Sequence, residues 1–306
     1  GLEYDLISKT NLWNGRFFAY NSFSPLKKED GFSGGVRITR ETRKHKINFE
    51  YSYLGDDYRT DLGILRRIGA SKLAPYYQYT IFPKNGKINN ISFGFYYWLW
   101  FKLNTSSENI LENNFQIPLT LTFNNQSEIQ LMYRQVHQFF KRDFDPTGIN
   151  DDNPLVGGKI YKSNYIQLAY ESNPTKKFYF ALSNNYGKFF DGRKYSFKKS
   201  FNLRVQPRLL ASMIINYDRI KLKHLDHNTE LWLIGPKIDY TFNKKLFWSN
   251  LIQFSSQSEN FGINSRLQWR FSGLSNLFLV FNDNYLVEDE LKPRMRSFNL
   301  KLLHWF

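Results

Sequence analysis

The chain has 306 residues, an aromatic fraction of 18%, a formal net charge of +15 and no cysteine. Without cysteine there is no disulfide scaffold, no Cys-based metal site and no thiol nucleophile. A mean hydropathy of −0.53 argues against a helical membrane protein, as does the longest apolar run, Phe93 to Phe101, which is half the ~18 residues a spanning helix needs and matches a tilted spanning strand.

Residues 1–10 contain no basic segment followed by an apolar stretch, so they do not read as a signal peptide. Period-2 alternation then runs along the chain. Ile47, Phe49, Tyr51 and Tyr53 oppose Asn48, Glu50 and Ser52. Ile117, Leu119, Leu121 and Phe123 oppose Pro118, Thr120 and Thr122. Ile263, Ser265, Leu267, Trp269 and Phe271 oppose Asn264, Arg266, Gln268 and Arg270. A soluble β-sandwich also alternates, but its strands are typically ~5–6 residues long, and many stretches here are longer.

Short turns are expected at 82–86, 123–125, 173–175, 206–208, 242–244 and 271–273. Longer polar links are expected near 24–31, 55–70, 103–112, 142–159, 222–229 and 286–296. Traced back from Phe306, every tight turn falls on one rim and every long link on the other, as in outer-membrane barrels. The fold expected is all-β: one domain over 1–306, an antiparallel transmembrane β-barrel of about 16–18 strands. The tally of about seventeen is odd, whereas single-chain bacterial barrels have even counts. At least one further strand is therefore expected upstream of Gly1, this chain being the C-terminal part of a larger barrel.

The last strand sets Phe298, Leu300, Leu302 and Phe306 against Asn299 and Lys301. It resembles the C-terminal signature read by barrel-assembly machinery, with His304 where an apolar residue is usual. Longer segments resemble one family. They are Tyr51 to Tyr58 (YSYLGDDY), Leu62 to Gly69 (LGILRRIG), Tyr79 to Lys84 (YTIFPK), Ile263 to Phe271 (INSRLQWRF) and Leu277 to Tyr285 (LFLVFNDNY). They look like the uncharacterised C-terminal barrel domain that follows a family-9 carbohydrate-binding module in bacterial outer-membrane proteins. That resemblance implies a bacterial outer-membrane location and a neighbouring glycan-binding module whose residues are not in this chain.

The alternation points Arg37, Arg134, Arg204, Arg266, Arg270 and Lys301 into the barrel, with Glu50 and Asp239 as counter-charges. They either brace a hydrated wall or form a lumen for anions and sugars. Asp143, Asp145 and Asp151 with Gly148 partly match a calcium loop, although Pro154 stands where that loop has its bidentate Glu. A turn cluster of Asp, Asn, Gly and Pro reads equally from these residues. Arg66 and Arg67 form either a rim latch or a plain basic loop. His45, His137, His224, His227 and His304 make no recognisable metal or catalytic set, and no nucleophile elbow, zincin motif or P-loop occurs. The basic residues are dispersed and match no nucleic-acid-binding motif, so nucleic acid is not an expected partner. The leading expectation is an outer-membrane barrel that anchors or serves a carbohydrate-handling module. Its partners would be outer-membrane lipid, lipopolysaccharide, the assembly machinery and glycans, with no cofactor beyond a weak calcium candidate. The alternatives are a diffusion or uptake channel for polar or anionic solutes or glycans, and a barrel-borne hydrolase.

Overall fold

A computed structural model describes residues 1–23, 31–60, 67–102, 110–149, 154–225, 228–288 and 290–305. Seventeen strands follow one another without a helix among the described residues. They are β1 (Leu2–Ile7), β2 (Trp13–Asn21), β3 (Phe32–Glu41), β4 (His45–Leu54), β5 (Ala70–Ile81), β6 (Ile88–Phe101), β7 (Ile110–Phe123), β8 (Glu128–Phe140), β9 (Lys159–Glu171), β10 (Phe178–Phe189), β11 (Gly192–Val205), β12 (Leu209–Lys221), β13 (Thr229–Thr241), β14 (Leu246–Ser255), β15 (Asn260–Arg270), β16 (Asn276–Val287) and β17 (Leu291–Leu303). Each strand pairs antiparallel with its neighbours in sequence, in one continuous meander.

The sheet is not closed. Among the described residues β1 pairs only with β2, and β17 only with β16. The expectation of a barrel is thus met as a seventeen-stranded antiparallel sheet, without the closing seam. Because consecutive strands are antiparallel, β1 and β17 run in the same direction.

Connections fall on two rims. One, the turn rim, carries residues 8–12, 42–44, 82–87, 124–127, 172–177, 206–208, 242–245 and 271–275. Asparagine side chains close several of these turns. Asn173 Oδ1 accepts from Thr175 N at 2.8 Å, and Asn243 Oδ1 from Lys245 N at 2.8 Å, which is why Asn recurs there. The opposite, link rim carries 22–31, 55–69, 102–109, 141–158, 190–191, 222–228, 256–259 and 288–290.

Two expectations about the connections need correction. The turns at 190–191 and 256–259 are tight yet lie on the link rim, so tight turns are not confined to one side. Most of 286–296 is strand rather than link, because β16 and β17 stay paired out to Val287↔Leu291. Its polar residues engage across the ladder: Arg296 Nη2 reaches Asp283 Oδ2 at 2.7 Å. Phe190 holds a positive φ of 51°, costly for a bulky side chain. Its ring packs on Phe189 and Phe144, with centroids 4.4 and 5.2 Å away, and its N–H donates to Ser163 Oγ at 3.0 Å.

The pairing register carries a face assignment from strand to strand, since successive side chains alternate between faces. One face is largely apolar, the other largely polar. Buried apolar side chains are few among the described residues: Ala70, Ala74, Leu155, Ile220 and Leu222. Large apolar residues such as Phe298, Leu300 and Leu302 are instead 69%, 64% and 60% exposed.

Candidate functional site

The polar face is the chemically distinctive surface of this sheet. Following the register across all seventeen strands puts Arg37, Glu50, Arg134, Arg204, Asp239, Arg266, Arg270 and Lys301 on it together. These residues form separate local networks rather than one convergent site. Glu50 accepts from Arg37 Nε and Nη2 at 3.1 and 2.8 Å and from Lys72 Nζ at 2.7 Å. Arg134 Nε donates to Asn114 Oδ1 at 3.2 Å, and its Nη1 to Tyr165 OH at 2.9 Å. Asp239 accepts from Ser249 Oγ at 2.6 Å and pairs with Lys237 at 2.8 Å. Arg266 sits directly across from Ser249 in the ladder. Arg204 lies over the Tyr179 ring at 5.4 Å and Arg270 over Phe247 at 5.7 Å, while Lys301 lies opposite Phe278.

Sequence reading missed several members of this face. Arg16 and Tyr20 both donate to Glu3. Lys194 pairs with Asp218 at 2.9 Å. Continuing the alternation of β2, β11 and β12 would have revealed them. Lys72 was harder to see, because β5 carries Pro75 and a run of tyrosines that blurs its period. Arg67 pairs with Glu112 at 2.7 Å, tying the link 55–69 to β7; Arg66 lies outside the described residues. No local pattern signals that contact.

The two described ends of the link, 141–149 and 154–158, meet each other, and the first also meets the 256–259 turn. Phe144 and Leu155 form a bridge, Phe140 stacks on Phe144 at 3.6 Å, and Gln257 Nε2 donates to the Thr147 carbonyl at 2.9 Å. The calcium-loop carboxylates serve this fold. Asp143 Oδ1 accepts from Gly157 N at 2.6 Å. Asp145 accepts from Thr147 N at 2.7 Å and Ile149 N at 3.1 Å. Asp151 lies outside the described residues. Among the described residues no group of three or more His, Asp or Glu is placed to hold a metal ion.

The histidines are scattered. His45 Nδ1 lies 3.0 Å from Tyr77 OH, and His137 Nε2 lies 2.8 Å from Gln135 Nε2. His224 Nδ1 lies 2.8 Å from Asp191 Oδ2, joining two connections of the link rim. His304 stacks near Phe271, and His227 lies outside the described residues.

The apolar face has its own order. Tyr51, Tyr97, Tyr186, Tyr217 and Trp232 lie toward the link rim; Tyr79, Phe123, Phe178, Tyr240 and Trp269 lie toward the turn rim. Ile117, Leu182, Ile215 and Ile234 sit between them. Phe298, Leu300 and Leu302 belong to this face; Phe306 lies outside the described residues. Charged residues interrupt it. Lys199 sits mid-strand, its Nζ 4.6 Å from the Phe197 ring centroid. The buried Asp283 accepts from Arg296 and from Tyr285 OH at 2.8 Å, near the link rim.

No curated protein matches this sequence. Residues 1–303 match the family described as Domain of unknown function (DUF5916), and the chain, an all-β sheet of seventeen antiparallel strands, belongs to that family.

Proposed function

We propose that the seventeen strands form the wall of a bacterial outer-membrane β-barrel that anchors or serves a carbohydrate-handling module, with the polar face lining a basic, hydrated interior. The observation that carries this reading is the separation of the two faces. An apolar band flanked at both ends by aromatic side chains lies exposed, while ion pairs and amides cover the other side. Water leaves such a band unfavourable by about 25 cal/mol per Å² of apolar surface, whereas lipid between two aromatic girdles suits it. Near the link rim, on the apolar face, Lys162, Lys188, Arg193 and Arg219 follow on four consecutive strands. They suit the phosphates of lipopolysaccharide, which favours a link rim facing outside the cell. The alternating C-terminal strand suits recognition by assembly machinery.

Fractionating cells that express the full protein tests the location. It is expected in the outer membrane; recovery in the soluble fraction would overturn the reading. A second reading, a diffusion or uptake channel for polar or anionic solutes or glycans, is favoured by the excess of Arg and Lys on the polar face. Single-channel recording separates the two. A plugged anchor passes no steady current, and an open channel passes one with anion preference.

A further inference from the structure

We propose that the wall made by β9–β12 carries a binding site for a small polyhydroxylated organic anion, of the size of a single sugar acid. On the polar face there, Tyr165, Asn185, Phe189, Lys194, Lys198 and Asp218 line a recess of about 200 Å³. That volume suits one six-membered sugar ring.

The charge of the recess selects the sign of the ligand. Lys194 is committed: it pairs with Asp218 at 2.9 Å and lies over the Phe189 ring at 5.1 Å. Lys198 has no ion-pair partner among the described residues. Arg134 stands at the edge, donating to Tyr165 OH at 2.9 Å. The lining thus holds more cations than its single carboxylate, Asp218, and an anion bound at Lys198 gains a charge-assisted hydrogen bond.

The surroundings select the rest of the ligand. A second recess of about 320 Å³ adjoins the first toward the turn rim, shares Lys198, and is lined by Gln130, Ser183, Ser200 and Asn216. Hydroxyls and amides both donate and accept, so they match the vicinal hydroxyls of a polyol. Glu128 and Glu171, directly opposed at the far end of that recess, repel a second anionic group and orient the carboxylate toward Lys198.

The assignment rests on the proposed reading in one respect: the polar face must be open to water. The test is equilibrium dialysis of the full chain in detergent against glucuronate, glucose and inorganic phosphate. Glucuronate is expected to bind at least about tenfold more tightly than either of the other two. Lys198→Gln should weaken glucuronate about tenfold, Lys198→Arg should restore most of the affinity, and Lys46→Gln, on the same face at the turn end of β4, should leave it unchanged. Circular dichroism establishes that each variant retains its sheet. Equal binding of glucose or phosphate, no binding of glucuronate, or equal loss in the Lys198 and Lys46 variants would overturn the site. Conductance does not enter this measurement. A non-conducting barrel that binds glucuronate keeps the site, and a conducting one that does not bind it loses the site alone.

Discussion

Glu50 is the most highly connected of the charged residues anticipated from alternation. It lies in β4 between Arg37 on β3 and Lys72 on β5, and both cations reach its carboxylate. Its side chain is only 16% exposed, so the pair is better shielded from solvent than an ordinary surface pair, whose contribution is about 0–1 kcal/mol. Glu50→Gln leaves two adjacent cations without a counter-charge. A loss of about 1–3 kcal/mol in unfolding free energy is expected, measured by urea denaturation in detergent or lipid. Arg37→Gln, which keeps the Lys72 contact, should cost less. The residue type and its face were legible in the sequence. Its two partners were not, because the register that brings Lys72 alongside depends on pairing across the link 55–69.

The strap 141–158 and strand β17 are the elements whose roles depend most on partners distant in sequence. In the strap, Asp143 and Asp145 already accept backbone N–H groups, so the turns that hold these carboxylates form without an ion. Adding millimolar calcium to the purified protein is expected to leave its melting temperature unchanged; a rise of several degrees would contradict this. The near-match to a calcium loop reflects how strongly Asp, Asn and Gly favour turns. In β17, Leu300 lies on the apolar face and Asn299 on the polar face. Leu300→Lys should cost about 2–4 kcal/mol of stability in lipid vesicles if that face meets the bilayer near its midplane. Asn299→Lys should cost little. Equal effects of the two would remove the membrane assignment of the faces. Both rest on strict alternation, which holds in β17 from Met295 to Leu303, beyond the register shift against Asn284/Tyr285 of β16.

At the scale of the whole molecule the open seam is the decisive feature. Since β1 and β17 run in the same direction, an antiparallel closure takes an odd number of strands between them. Even one such strand sets their backbones about 9–10 Å apart, beyond the ~7 Å limit between Cα atoms for a disulfide. Cysteines introduced at Glu3 and Ser297 in the full-length protein should therefore not cross-link under mild oxidation. Efficient intrachain cross-linking would mean direct, parallel closure.

Composition and alternation by themselves determined an all-β chain, its strand number and two chemically opposite faces, because side-chain period and hydrophobicity are local properties of a strand. They also set eight charged residues in one phase of the alternation. Only the tertiary structure decided which charges meet, that tight turns occupy both rims, that most of 286–296 is paired rather than looped, and that Thr147 meets Gln257. It also left the seam between β1 and β17 open. Each of these depends on register and on contacts between residues distant in sequence, which a one-dimensional pattern does not encode.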